Sequence, residues 1–466
     1  MSFSKLKVGL LIFSAAIFVF SFALSGCKPA PSPATESATT TEAAAATETV
    51  AGKPFEGVVL NVVNMLGWNI TKAGLDHLAE FEEKTGIKVK LNEMPFADIV
   101  TKEVLEGENR SGAYDVLQAY DAGMATLKPY VIPLDVGNVD DWNKAHYVSA
   151  VDYVTFDNKI YFEPFVGGCQ IGFYRKALFE DPKEQADFKA KYNYDLKPPT
   201  TWQEVLDIAK FFTRDTNNDG EIDLWGLAIP GKGDHGGCAY EEKMYSMGSG
   251  YTDENLKLLW PADRDKLVEW AKFDQDLVQT YKVTPSGCVS MEMAQMMELY
   301  FAGKAAMCES WVTEFWPTVQ SEATKAKIGE TGSFKLPIIE AGNGTTCGWW
   351  GWGISRDSKN PGAAMEFIKW FNSADITKIM LKGSSFLSPT IALTQWGIDN
   401  GYIPQATAEA SKTSRPFVVF PQLPELRVIL ATHHEELLTG SITPEQFVDT
   451  CTTEMLKVLE DAGIKQ

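Results

Sequence analysis

Three runs decide the fold: Val58-Val-Leu-Asn-Val-Val-Asn-Met65, Ile87-Lys-Val-Lys-Leu91 and Tyr114-Asp-Val-Leu-Gln-Ala-Tyr120. The first is rich in β-branched residues and the second alternates apolar with polar, so all three read as strands. Between the first two, Leu75, Leu78 and Phe81 recur on one helical face and Gly86 supplies a stop. A second helical pattern follows Pro95 and leads into the third strand. Strand, helix, strand, helix, strand is the signature of a parallel sheet with crossover helices, so the fold class is α/β.

The same alternation returns further along the chain. Cys169 to Tyr174, Leu224 to Ile229, Ala305 to Cys308 and Gly348 to Ile354 are strand-like. Helical patterns cover Trp202 to Phe212 (with Thr201 as its cap), Asp263 to Tyr281, Met291 to Ala302, Gly362 to Asn372, Leu423 to Leu438 and Pro444 to Ala462. No internal repeat is visible. The 466 residues suffice for two domains, and 45% apolar with 22% charged residues is an ordinary globular balance. The expectation is two α/β lobes with the chain crossing between them more than once.

The N-terminus has a different character. Lys5 and Lys7 precede an uncharged apolar run from Val8 to Leu24, which ends in Leu24-Ser-Gly-Cys27. A basic head, an apolar core and a small-residue cleavage zone describe a secretory leader over residues 1–26. A Cys directly after Leu-Ser-Gly resembles the lipobox of bacterial lipoproteins, which makes Cys27 the acylated first residue of the mature chain. The alternative is a plain membrane anchor, for which the run is at the short end. Residues 27–54 are almost entirely Pro, Ala, Thr, Ser and Glu and read as a flexible tether. The net charge of -20 argues against nucleic-acid binding, which selects clustered Lys and Arg.

Of the seven cysteines, Cys27 belongs to the lipobox, and six remain. Cys169, Cys308 and Cys347 lie in strand-like runs and read as buried apolar residues, whereas Cys238 and Cys288 lie in Gly-rich segments and are the bridge candidates.

Enzyme motifs are missing: no G-x-S-x-G, Walker loop, H-E-x-x-H or G-x-G-x-x-G follows a strand. His433 and His434 fall inside a surface helix and read as solvated or structural. No cofactor is required. One segment invites a metal: Asp215, Asn217, Asp219, Glu221 and Asp223 alternate around Gly220, which resembles the opening of an EF-hand-type calcium loop. Its twelfth place is Gly226 instead of a bidentate acid, so the readings are a structural calcium ion or a solvated Asp/Asn-rich turn.

The aromatic positions carry the function. Trp68 follows the first strand, Trp311 and Trp316 follow the strand at Ala305, and Trp349, Trp350 and Trp352 cluster in one Gly-flanked strand. Ligands of parallel sheets bind beyond the carboxyl ends of the strands. Aromatic faces there match the apolar face of a sugar ring, while Asp, Glu and Asn meet its hydroxyls.

Phe81-Glu-Glu-Lys-Thr-Gly-Ile-Lys-Val89, Tyr114-Asp-Val116 and Leu127-Lys-Pro-Tyr130 with Pro133-Leu-Asp135 resemble the first lobe of family 1 extracellular solute-binding proteins, to which the maltose-binding proteins belong. Phe173-Tyr-Arg-Lys-Ala-Leu-Phe179, Pro198-Pro-Thr-Thr-Trp202, Phe301-Ala-Gly-Lys-Ala-Ala-Met307 and Gly351-Trp-Gly-Ile-Ser355 extend the resemblance to nearly everything after Val58. It implies a two-lobed periplasmic-binding-protein-like fold (type II): residues 55–166 plus 352–387 in one lobe, 167–351 plus 388–466 in the other. Crossings are expected near Phe165–Gly168, Trp350–Gly353 and Phe386–Thr390, with the ligand cleft between the lobes.

The implied ligand contacts are Trp68 and Asn69, Tyr120 and Asp121, Gln170, Asp234 and His235, Trp311 and Glu314, Trp349 and Trp350, and Arg415. The implied function is capture of a carbohydrate, delivered by a monomeric, lipid-anchored receptor outside the cytoplasm to the membrane subunits of an ABC importer. Contact with the membrane would be through the lipid alone. The rivals are a receptor for a polyamine, glycerol phosphate or peptide, and a surface-anchored glycan-active enzyme or adhesin.

Overall fold

The computed structural model describes residues 53–345, 347–414 and 417–466. The leader over 1–26, Cys27, the tether apart from its last two residues, and Arg415 lie outside the described residues. Among the described residues no helix is long and apolar enough to cross a membrane.

The described residues form eleven strands: β1 (Val59–Met65), β2 (Lys88–Met94), β3 (Val116–Tyr120), β4 (Val131–Ile132), β5 (Thr155–Phe156), β6 (Lys159–Ile160), β7 (Glu163–Arg175), β8 (Trp225–Ala228), β9 (Ala305–Trp311), β10 (Thr331–Phe334) and β11 (Cys347–Ser355). Nine of them share one sheet, ordered β2-β1-β3-β11-β7-β9-β8, with β10 on β7 and β4 on β11. The expected parallel start is present. β1 pairs in parallel with β2 from Val59–Lys88 to Met65–Met94, and with β3 through Val62–Val116.

The helices form where local chemistry calls for them. Leu78–Thr85 ends at Gly86, whose φ of 82° is the left-handed conformation that glycine adopts without steric cost. Trp202–Phe212 starts with a capping box: Thr201 accepts from the Glu204 N–H, and the Glu204 side chain accepts from the Thr201 N–H. That helix buries Trp202, Val205, Leu206, Ile208, Ala209 and Phe212 on one face. One apolar core gathers Leu60, Val62, Trp352, Phe367 and Phe371 beside the first strands. Another gathers Phe188, Val205, Phe212, Leu277 and Met307 around the later ones.

β7 joins these halves. Its first part, from Glu163 to Cys169, pairs antiparallel with β11, and its second part, from Gln170 to Tyr174, pairs with β9. Gly167 opposes Trp349 on one side and exchanges backbone hydrogen bonds of 2.8 and 2.7 Å with Leu387 on the other. The helix Ile391–Asp399 then packs through Gly397 against Leu381, while Trp316 donates to the Gly401 carbonyl at 3.2 Å, so this segment lies between the halves.

The cysteine expectation is corrected. Cys169 and Cys347 face each other across the β7–β11 pair, Cα atoms 4.4 Å apart, and form a disulfide. That spacing suits directly opposed residues of an antiparallel pair. Cys238 and Cys288 are free and buried: Cys238 lies inside the helix Gly233–Ser246, and Cys288 in a short 3-10 turn. His434 is likewise fully buried, 3.3 Å from Asp274, which settles its structural role and removes it from the surface.

Candidate functional site

β1, β2 and β3 all end on one side of the sheet, and their carboxyl ends deliver an aromatic group. Trp68 follows β1, Phe96 follows β2 and Tyr120 closes β3, with Trp350 of β11 among them. Ring centroids lie 4.7 Å apart for Trp68–Trp350, 5.9 Å for Phe96–Trp350, 5.7 Å for Tyr120–Trp350 and 5.1 Å for Phe96–Tyr120. Trp68 is the buried backing of this group, and Phe96 is its most open member at 42% exposure. Burial pushes the Tyr120 phenol up to about 12, so it stays protonated and able to donate.

The base of the site is made of glycine. Gly168 and Gly348 oppose each other across β7 and β11, and Trp311, at the end of β9, lies over both. A Cβ on Gly168 would come 3.3 Å from the Trp311 ring, and one on Gly348 would come 3.6 Å from it and 2.6 Å from Asp121 Oδ2. Asp121 is buried; its two oxygens accept from the Ala122 N–H at 2.6 Å and the Trp349 N–H at 3.2 Å. Burial raises its carboxyl, whereas Arg427 and these backbone donors lower it.

Among the sequence-derived candidates, Trp68, Tyr120, Asp121, Trp311 and Trp350 are therefore brought together. Asn69 is exposed at the first position of the helix after β1, and Gln170 is buried opposite Trp311 in the β7–β9 register. Asp234 is exposed and His235 half-buried, both at the start of the helix Gly233–Ser246. Trp349 is corrected to a core residue: it is fully buried, packs on Gly167 and donates to Ser149 Oγ at 3.1 Å. Neighbouring residues in a strand face opposite ways, so only Trp350 joins the aromatic group. Glu314 belongs to the helix Val312–Gln320, and its side chain lies outside the description.

Phe96 and Arg427 are the contributors that sequence reading missed. Phe96 obeys the same strand-end rule that selected Trp68 and Tyr120. Arg427 sits inside a long helix and carries no local signal.

The Asp215–Asp223 segment is an exposed loop closed by its own hydrogen bonds. Asp215 accepts from the N–H groups of Asn217, Asn218 and Gly220, and Asp223 from Thr216. These bonds hold both carboxyls below their usual range. A Cβ at Gly226 would meet the Ala209 carbonyl at 1.9 Å, so the EF-hand's bidentate twelfth ligand has no room. Among the described residues no group of three or more His, Cys, Asp or Glu is arranged to hold a metal.

Known proteins share this architecture. Residues 67–378 match the family described as bacterial extracellular solute-binding protein. An uncharacterized ABC transporter extracellular-binding protein of Pyrococcus horikoshii is 28% identical over 44% of this chain and 44% of its own length. A probable ABC transporter-binding protein of Deinococcus radiodurans is 24% identical over 53% and 56%. The chain thus spans about half the length of these relatives.

Among solved structures, maltose-bound MalE3 of T. maritima superposes with a TM-score of 0.70 at 21% identity, covering 86% of this chain and 100% of that one. The GacH receptor of Streptomyces glaucescens gives 0.70 at 22%, covering 86% and 98%. These likenesses establish the two-lobed α/β fold, and proteins of the matched family bind solutes rather than transform them. The chain belongs to the bacterial extracellular solute-binding protein family.

Proposed function

We propose that this chain is the receptor of an ABC importer and that its cargo is a carbohydrate, from a mono- to an oligosaccharide. The observation that carries the reading is the pair of aromatic surfaces, Trp350 with Phe96 and Tyr120 on one side and Trp311 on the other, around a bare glycine floor. Flat rings can cover the apolar faces of a pyranose, and the buried Asp121 and protonated Tyr120 offer polar groups to its hydroxyls. The names of two similar structures, bound to maltose and to acarbose, favour the same class.

On this reading the lobes comprise residues 55–166 plus 352–387 and 167–351 plus 388–466, hinged where Gly167, Trp349 and Leu387 meet. A sugar touching both lobes selects their closed arrangement, which the importer then distinguishes from the empty one. The Leu24-Ser-Gly-Cys27 sequence supports anchoring through acylated Cys27 outside the cytoplasm.

A thermal-shift screen tests the proposal, using mono- to tetrasaccharides beside spermidine and glycerol phosphate. A solute that binds only the folded state raises the melting temperature by mass action. A rise with one sugar and none with its epimers supports the reading. A rise with a charged solute alone overturns it.

A further inference from the structure

Arg427 is the charged group that the sugar reading leaves unused. It lies on the helix Leu423–Thr439, which packs against the helix Gly233–Ser246. Its side chain is only 13% exposed and lies over the Phe417 ring, 5.9 Å from the centroid. Nη2 donates to Glu241 Oε2 at 3.0 Å and to Cys238 Sγ at 3.0 Å, and is 3.9 Å from Asp234 Oδ1. These three partners share one helix in the later half of the chain. The fourth does not: Nη1 is 3.7 Å from Oδ1 of Asp121, at the end of β3. Beside it, Thr126 Oγ1, on the helix Asp121–Leu127, donates at 3.3 Å to the carbonyl of Pro421, two residues before the helix Leu423–Thr439.

Asp121 is thereby held from two sides. One oxygen faces Arg427, and the other accepts the Trp349 N–H of β11, the strand that meets Gly167 where the halves join. A guanidinium does not give up its charge at any ordinary pH, and a buried carboxylate without a partner is costly. Separating the halves at this point therefore leaves Asp121 to be rehydrated or protonated.

We propose that Arg427 is the positioning residue of the cleft: it holds and aims the Asp121 carboxyl, and so ties the joined arrangement of the halves to the wall that meets the solute. The contact between Arg427 and Asp121 stands by itself, whereas its consequence for the solute rests on the function proposed above. The other titratable groups around Asp121 are Tyr120, Tyr153, Tyr245, Asp234 and Glu241, and Asp234 opposes Arg427 by raising the Asp121 carboxyl.

The test uses the full chain without any solute, so its outcome is independent of whether a sugar binds. The wild type, R427Q and R427K are compared by carboxyl-carbon NMR titration of Asp121, assigned through D121N, and by amide hydrogen exchange. R427Q is expected to raise the Asp121 midpoint by about one pH unit or more. It should also speed exchange of the Trp349 amide about tenfold, with the β7–β9 amides of Phe173 and Cys308 unchanged. R427K keeps the charge but loses the fork, so it should speed Trp349 exchange while leaving the midpoint within about half a unit. Should R427Q not fold, R427K decides alone. An unmoved midpoint in R427Q, or Trp349 exchange unmoved in R427K or accelerated no more than at Cys308, overturns the proposal. Failure of every sugar in the thermal screen would overturn the receptor's assigned cargo and leave this result intact.

Discussion

Gly167 lies flat beneath the indole of Trp349: a Cβ on it would come 2.5 Å from two carbons of that ring. The same residue exchanges both backbone hydrogen bonds with Leu387, so β7 is held from the other side as well. Overpacking at such a point costs about 1–3 kcal/mol. Gly167→Ala is expected to lower the unfolding free energy by that amount in a urea titration. Gly168→Ala differs, because its Cβ would stand 3.3 Å from Trp311 on the opposite, cleft-facing side. It is expected to alter solute affinity with a smaller loss of stability. Equal stability losses would contradict the assignment of the two faces.

The disulfide between Cys169 and Cys347 closes a loop with a sequence separation of 178 residues. Removing a native disulfide typically costs about 2–5 kcal/mol. The double substitution C169S/C347S is expected to lower the melting temperature markedly, whereas C238S and C288S, which break no bridge, should shift it far less. Calorimetry of the three variants checks this.

Much of the architecture was legible because its signals are local. The Gly86 stop, the Thr201 cap and the three opening strands each depend on a few consecutive residues. What failed depended on partners distant in sequence. The Cys169–Cys347 bridge follows from the register of two strands that the sequence separates widely. The alternation that buries Trp349 and opens Trp350 follows from the same register. β7 read as a strand only from Cys169, because Pro164, Gly167 and Gly168 are poor strand formers, and tertiary pairing overrides that preference over all 13 residues. Arg427 gains its meaning only when two helices meet.

Stability should fall as pH rises from acid toward neutral. Burial pushes Glu163 and Glu309 each up to about 7. In the unfolded chain a glutamate titrates near its ordinary value of about 4.3. Between those values the folded protein holds protons that the unfolded chain has released, so raising pH favours unfolding. Below that window both states are protonated and above it both are ionised, and the contribution stops changing. E163Q and E309Q should each flatten the slope between about pH 4.5 and 7, measured by urea unfolding at several pH values. An unchanged slope in both variants would contradict the burial-driven shifts.

In the proposed function a sugar is held between Trp311 and the Trp350 group. The most direct measurement is a calorimetric titration of the sugar selected by the thermal screen into wild type, W311A and W350A. Loss of one ring contact should weaken binding by about 1–3 kcal/mol in each variant, with the fold intact by circular dichroism. Wild-type affinity in both variants would remove these tryptophans from the site and overturn the proposed mode of binding.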